Sequence, residues 1–216
     1  MDDKQHTWST FIAYGYGQKL TLNKNTVLFR QGEIGKGFYY LADGEVKISL
    51  LSNQGNERDI DYVMPGELIG EQGFNNAPYF TTSVTTTSSV LYFFSKEDFN
   101  QLCLDIPQAA SIFMDSLILK VRLLAEVTTI LNAPAEYRLA HFLYRLSVRK
   151  GKLKICISQV SLARSIGTSR ITVYKIMNQW KEDGIIEQNN GYIHLLDINK
   201  LRYFYEDPPL QQGSYN

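Results

Sequence analysis

The sequence predicts an α+β protein: an N-terminal antiparallel β-barrel, a long helix, and a C-terminal winged helix-turn-helix. Three observations carry this. Residues 21–94 are short apolar or alternating runs cut by glycines at 32, 35, 37, 44, 55, 66, 70 and 73, the pattern of a barrel or sandwich. Residues 107–131 switch to one uninterrupted helical repeat of apolar residues. Residues 157–183 hold two helix patterns joined at Gly167 and followed by a hairpin signal.

Residues 1–19 mix polar and aromatic types, and Gly15 and Gly17 break any long helix there. Strands are expected over 26–30, 37–41, 46–51, 59–63 and 84–94, with Asn53-Gln54-Gly55-Asn56 as a hairpin turn. Ser95-Lys96-Glu97-Asp98 reads as a capping box that opens a short helix with Phe99, Leu102, Cys103 and Ile106 inward. Pro107 suits the first turn of the next helix. That helix places Met114, Leu117, Val121, Leu124, Thr128 and Leu131 on a seam spaced by three and four, the geometry of a helix pair. Ile112, Leu119, Leu123 and Ile130 form a second apolar face. A helix with two apolar faces serves its own domain with one and a partner subunit with the other, so a homodimer is expected.

Asn132-Ala133-Pro134 ends this helix, and the hinge is placed near 132–134. The expected domains are therefore 1–106, a sensing barrel with short flanking helices; 107–132, the dimerisation helix and hinge; and 133–216, the winged helix. A helix over 136–149 turns Leu139, Phe142, Leu143 and Leu146 inward and closes at Gly151.

In the helix-turn-helix, Ser158 caps the first helix, and Leu162, Ala163 and Ile166 are its apolar face. Gly167 supplies the bend. Thr168 or Ser169 caps the second helix, whose Val173, Ile176, Met177 and Trp180 recur at helical spacing. Two core helices would explain that much. They would not explain the outward face, which opens with Thr168, Ser169, Arg170, Ile171, Thr172 and Lys175. Hydroxyls at a helix N-terminus suit phosphates, and arginine and lysine suit phosphates or guanine edges. Ser158, Gln159, Thr168, Ser169, Arg170, Ile171, Thr172 and Lys175 are the candidate contacts to double-stranded DNA. Ile171 cannot accept from cytosine and suits a thymine methyl. Asn189-Asn190-Gly191 then turns a hairpin, the wing, and 197–205 adds a short helix before a tail from Asp207.

Charge distribution agrees. The net charge is zero, yet residues 1–133 carry 10 Lys+Arg against 15 Asp+Glu, and residues 134–216 carry 12 against 7. Between 134 and 185 the balance is 10 basic to 3 acidic. Cys103 and Cys156 lie in apolar runs and are expected as buried thiols. Two cysteines exclude a four-cysteine iron–sulfur cluster, and three scattered histidines suggest no metal site, so no cofactor or metal is expected. No apolar run approaches the roughly 20 residues that span a bilayer, so a cytoplasmic protein without a membrane partner is expected.

Specific motifs add a resemblance. Arg30-Gln31-Gly32-Glu33, Phe38-Tyr39-Tyr40-Leu41 with Gly44, Pro65-Gly66-Glu67, Leu68-Ile69-Gly70-Glu71 and the helix-turn-helix, in this order, resemble the cAMP receptor protein / fumarate–nitrate regulator (CRP/FNR) family. The resemblance spans about residues 20–205. It implies a cyclic-nucleotide-binding-like barrel, a double-stranded β-helix. It also implies a homodimer on a palindromic site, regulation of transcription with RNA polymerase as a partner, and a small-molecule effector. Where nucleotide-binding members carry Arg-Ser after the Gly-Glu pair, this chain has Thr81 and Thr82, and no Lys or Arg lies between Arg58 and Lys96. A buried phosphate would then lack a counter-charge. The helix hydroxyls that meet adenine in that subfamily fall at about Leu124 and Ala125. The resemblance thus points to the branch that does not bind cAMP, with Gly70, Glu71, Gln72, Thr81, Thr82, Leu123 and Leu124 as effector-site candidates. The effector is unidentified; acidic Glu71 favours a neutral, aromatic or cationic molecule. Lys120 or Arg122 would alter that by reaching inward, but helical charges are expected on the solvated side. The alternatives are a cyclic-nucleotide regulatory module acting on a protein, which needs no helix-turn-helix, and a cupin-like enzyme, which needs histidines that 20–95 lacks.

Overall fold

The computed structural model describes residues 7–189 and 191–206, the last four as backbone only. The predicted tail from Asp207, and Asn190 of the wing turn, lie outside the described residues. The chain forms two compact units that divide between Ala125 and Glu126, inside one long helix.

In the first unit eight strands build two antiparallel sheets. They are β1 (Gln18–Leu22), β2 (Val27–Phe29), β3 (Gly37–Asp43), β4 (Val46–Leu51), β5 (Glu57–Val63), β6 (Leu68–Ile69), β7 (Thr82–Thr85) and β8 (Ser89–Ser95). One sheet has the order β1-β8-β3-β6 and the other β2-β7-β4-β5. Among the described residues no ladder joins the two, so the expected closed barrel is replaced by a pair of open sheets. Edge strands β6 and β2 are only two and three residues long, too short to carry pairing around a closed barrel. The single apolar run 84–94 divides at residues 86–88, where Thr86 N donates to the Glu45 carbonyl at 2.9 Å and the chain passes from one sheet to the other. Strands β1 and β6 were not legible in the sequence.

The middle of the first sheet, β3 and β8, is covered on both faces, which is why these two strands read as continuous apolar runs. Tyr39, Leu41, Ile69 and Leu91 pack with Phe29, Val46 and Val63 of the second sheet. On the opposite face, Phe38, Leu68 and Phe94 pack under α1 (Trp8–Ala13), α2 (Lys96–Asp105) and the start of α3 (Gln108–Thr129). This layer is aromatic: Phe38 stacks on Phe94 at 5.4 Å, and Phe99 lies 4.9 Å from Phe113. The predicted capping box closes α2 through Asp98 N to Ser95 Oγ at 3.0 Å and Ser95 N to Asp98 Oδ2 at 3.2 Å. Along α3, Ile112 and Phe113 pack on the aromatic layer and Lys120, Leu123 and Val127 are half-buried. Met114, Leu117, Val121 and Leu124 are 39–66% exposed, and Thr128 and Leu131 are exposed with them. Leu119, expected on the inner face with Ile112, is instead 49% exposed, at the edge of the covered flank, and Ile118, nearly opposite that flank, is 44% exposed.

The second unit holds α4 (Ala135–Lys150), β9 (Lys154–Cys156), α5 (Gln159–Ile166), α6 (Arg170–Glu182), β10 (Ile186–Asn189), β11 (Tyr192–Leu195) and α7 (Ile198–Glu206). Strand β9, unforeseen, joins the wing hairpin in the order β10-β11-β9. Ile155 and Ile193, paired across that ladder, point into the core, so Cys156 beside Ile155 points out. The expected burial of both thiols is therefore corrected: Cys156 is exposed and Cys103 half-buried. Leu139, Leu143, Leu162, Val173, Met177 and Trp180 are fully buried, and Trp180 Nε1 donates to Glu136 Oε1 at 2.8 Å. No helix among the described residues is long and apolar enough to cross a membrane.

Candidate nucleic-acid interface and sensor site

The interface is built from local rules. Ser158 Oγ accepts from Ser161 N at 3.1 Å and starts α5. Gly167 ends it with φ +65°, a left-handed conformation that favours glycine, and its N–H bonds the Ala163 carbonyl. Ala163 is 5% exposed, small where the two helices cross. Ser169, not Thr168, caps α6: its Oγ accepts from Thr172 N at 3.0 Å. With Val173, Met177 and Trp180 buried, the opposite face is committed to solvent.

On that face stand Ser169, Arg170, Ile171 and Lys175, all exposed, with Thr168 and Thr172 half-buried beside them. Ser169 Oγ and Thr172 Oγ1 share a hydrogen bond of 2.8 Å. Ser158 is exposed and Gln159 half-buried at the start of α5. The eight predicted contacts thus fall at the N-terminal ends of α5 and α6. Tyr174, 53% exposed, joins the α6 face and was missed; its spacing of three from Ile171 was the available signal. In the wing, Lys154 Nζ lies 4.4 Å from the Tyr192 ring centre.

The sensor candidates divide. Gly70 takes φ +80° and ends β6, and a Cβ there would stand 2.9 Å from the Phe29 ring and 3.2 Å from the Tyr79 ring. Phe29 and Tyr79 stack at 3.9 Å, and a Cβ on Gly73 would stand 2.3 Å from the same tyrosine. Buried Tyr79 donates from its hydroxyl to the Gly37 carbonyl at 3.1 Å. Gln72 Nε2 donates to Thr81 Oγ1 at 2.9 Å. Thr82 lies on the other face of β7, where its Oγ1 accepts from Gln31 N at 3.0 Å. Ser83, fully buried on the Thr81 side, has an Oγ without a hydrogen-bond partner and was missed, although strand alternation from Thr81 reaches it. Leu123 is half-buried, whereas Leu124 is exposed with the seam.

Glu71 is buried and pairs with Lys120, whose Nζ also donates to the Leu68 carbonyl at 2.8 Å. The expectation that Lys120 lies on the solvated side is corrected. Its stem follows the covered flank of α3, and the buried carboxylate supplies the charge that offsets its partial desolvation. Arg122 is exposed, as expected. With Lys120 beside it, Glu71 no longer sets the charge of the site alone. Asp59 makes a separate pair: its Oδ1 lies 3.1 Å from Lys47 Nζ, and Tyr62 donates to its Oδ2 at 3.1 Å. Burial still pushes the Asp59 carboxyl above its ordinary range.

A sheet domain, a long helix with an exposed apolar seam, and a winged helix presenting a polar, basic helix end define a DNA-binding transcription regulator. Residues 19–105 match the cyclic nucleotide-binding domain model and 137–204 the Crp-like helix-turn-helix domain model. The chain belongs to the CRP/FNR family of transcription regulators. It is 26% identical over 190 residues to the transcriptional activator protein Anr of Pseudomonas protegens, covering 83% of this chain and 77% of that protein. It is 26% identical over 193 residues to the cyclic AMP receptor protein of Thermus thermophilus, covering 88% and 89%. Its fold matches that of FixK2 from Bradyrhizobium japonicum with a TM-score of 0.76 at 16% identity, covering 88% of this chain and 97% of the other. These relatives are regulators rather than enzymes, which sets the cupin-like reading aside.

Proposed function

We propose that the protein is a homodimeric, sequence-specific DNA-binding transcription regulator whose sensor site takes no cyclic nucleotide. The observation that carries the reading is the exposed N-terminal face of α6, where Ser169, Arg170, Ile171, Tyr174 and Lys175 stand together over a fully buried opposite face. Arg170 reads a base edge, Ser158 and Ser169 hold phosphates, and Ile171 rests on a thymine methyl. The seam Met114, Leu117, Val121, Leu124, Thr128 and Leu131 pairs two copies, so the operator is palindromic, with half-sites about 34 Å apart. RNA polymerase is the partner of the DNA-bound dimer.

Against a nucleotide stand the absence of Lys and Arg between residues 58 and 96, the engagement of the Lys120 ammonium by Glu71 and the Leu68 carbonyl, and the aromatic pair packed on Gly70 and Gly73. A cyclic phosphate would need both a cation and open backbone. Selection from random DNA, followed by anisotropy titration at several salt concentrations, tests the reading. The expected result is an inverted repeat bound with a steep salt dependence. Equal affinity for scrambled DNA would overturn it. Calorimetry with millimolar cAMP and cGMP is expected to show no binding.

A further inference from the structure

The loop that follows β6 already has an occupant. The Leu68 carbonyl and the Glu71 carboxylate, three residues apart, converge on one ammonium group, the Nζ of Lys120. The Glu71 side chain is 5% exposed and that of Lys120 is 36% exposed. A charged and a neutral acceptor aimed at one point suit a donor-only group with several N–H bonds, which a primary ammonium is. Gly70, between them, is covered by Phe29 and Tyr79, and Gly73, two residues past Glu71, by Tyr79. A diffusible ligand therefore meets a loop packed by rings around Gly70 and Gly73 and closed by an amine at Glu71.

We propose that Leu68 O and Glu71 form a binding site for a primary ammonium group, and that Lys120 is its tethered resident ligand. The inference rests on the regulator reading above and adds that the ligand of the sensor site belongs to the chain itself. A tethered group acts at an effective concentration on the order of millimolar or more. Removing it would leave a buried carboxylate without its cation, which holds the tethered state against weak free competitors. The same contact sets the rotation of α3. With Lys120 turned to the covered flank, Leu117, Val121 and Leu124 are carried outward. The amine thus does for α3 what a bound effector would do: it couples the β6 loop to the face that the partner subunit takes.

Lys120→Ala leaves a gap of three carbons and a nitrogen, which n-propylammonium fills. Lys120→Met keeps the stem and removes only the charge. Both variants are expected to unfold at lower temperature than wild type and to bind the selected operator at least about tenfold more weakly. Propylammonium, at on the order of 10–100 mM, is expected to raise the unfolding temperature of Lys120→Ala and restore its DNA affinity in parallel. Wild type, Lys120→Met and the double variant Glu71→Gln, Lys120→Ala should not respond, nor should Lys120→Ala respond to tetramethylammonium, which has no N–H. Unchanged stability and DNA affinity in both single variants would overturn the inference. So would a loss in Lys120→Ala that propylammonium leaves unrestored, or restores equally in the double variant. A wild-type protein without operator affinity would sink the regulator reading instead, because thermal rescue reads the ammonium site without DNA.

Discussion

Ser169 is the position where folding and DNA binding separate most cleanly. Its Oγ accepts from Thr172 N at 3.0 Å, so Ser169→Ala leaves an N–H at the start of α6 without that acceptor. The cost is about 1 kcal/mol, within a range of roughly 0.5–2. For a domain of fewer than about 100 residues this lowers Tm by roughly 4–8 °C. Ser169→Asp should not share that loss, because aspartate caps as well as serine and its charge suits the helix N-terminus. On DNA the order reverses. A carboxylate about 5 Å from a phosphate is repelled by about 0.8 kcal/mol at a dielectric of 80 and about 3.3 kcal/mol at 20. Ser169→Asp should therefore weaken operator binding about 4- to 300-fold, most at low salt, while Ser169→Ala loses only a few-fold. Trp8 and Trp180 are the only tryptophans and lie in different units, so Trp180 fluorescence in a Trp8→Phe background follows the second unit through a urea titration. Anisotropy at two salt concentrations follows the DNA. A Ser169→Asp protein that binds the operator like wild type at low salt would refute the phosphate position. One that unfolds as easily as Ser169→Ala would refute the capping argument.

Three further outcomes follow from the same structure. Arg170→Ala should cost about 1–3 kcal/mol of operator binding and relax selection at one base position; a uniform loss across all sequences would assign Arg170 to a phosphate. Leu124, 64% exposed in the single chain, should tolerate Leu124→Asp without loss of fold, while sedimentation shifts from dimer to monomer; a Leu124→Asp dimer would exclude the seam. His141 is buried, and burial, then Arg145, push its pKa down from 6.5 to about 4. The folded state thus holds fewer protons than the unfolded state between those values. This contribution is complete above pH 6.5 and is lost as pH falls toward 4, at most about 3 kcal/mol. Urea midpoints for His141→Gln should therefore flatten between pH 6.5 and 4 relative to wild type, and parallel curves would remove His141 from the acid response.

The helix-turn-helix was legible because each of its determinants acts within a few residues. Ser158 and Ser169 cap helices that begin one residue later, Gly167 supplies its own left-handed turn, and Leu162, Ala163, Ile166, Val173, Met177 and Trp180 show one apolar period. The capping box of Ser95 and Asp98 was legible for the same reason. The seam of α3 was readable as a pattern, and its exposure followed once the sheet had taken the other flank. The sandwich was harder. Residues 84–94 alternate or stay apolar throughout, and nothing in that run marks where the chain leaves one sheet for the other; the Glu45 carbonyl, distant in sequence, takes the Thr86 N–H at the corner. Strand β6 was hidden because two residues carry no period, and β9 because its partner strand lies some 40 residues on. Lys120 is the clearest case. On a helix, a lysine reads as solvated, and only the fold brings a buried carboxylate 49 positions away to meet it. Caps, turns and apolar periods are set by bonds to near neighbours, so the chain alone determined them. Whether a charge faces inward depends on a partner that tertiary structure must first deliver, because only the paired state offsets the loss of water.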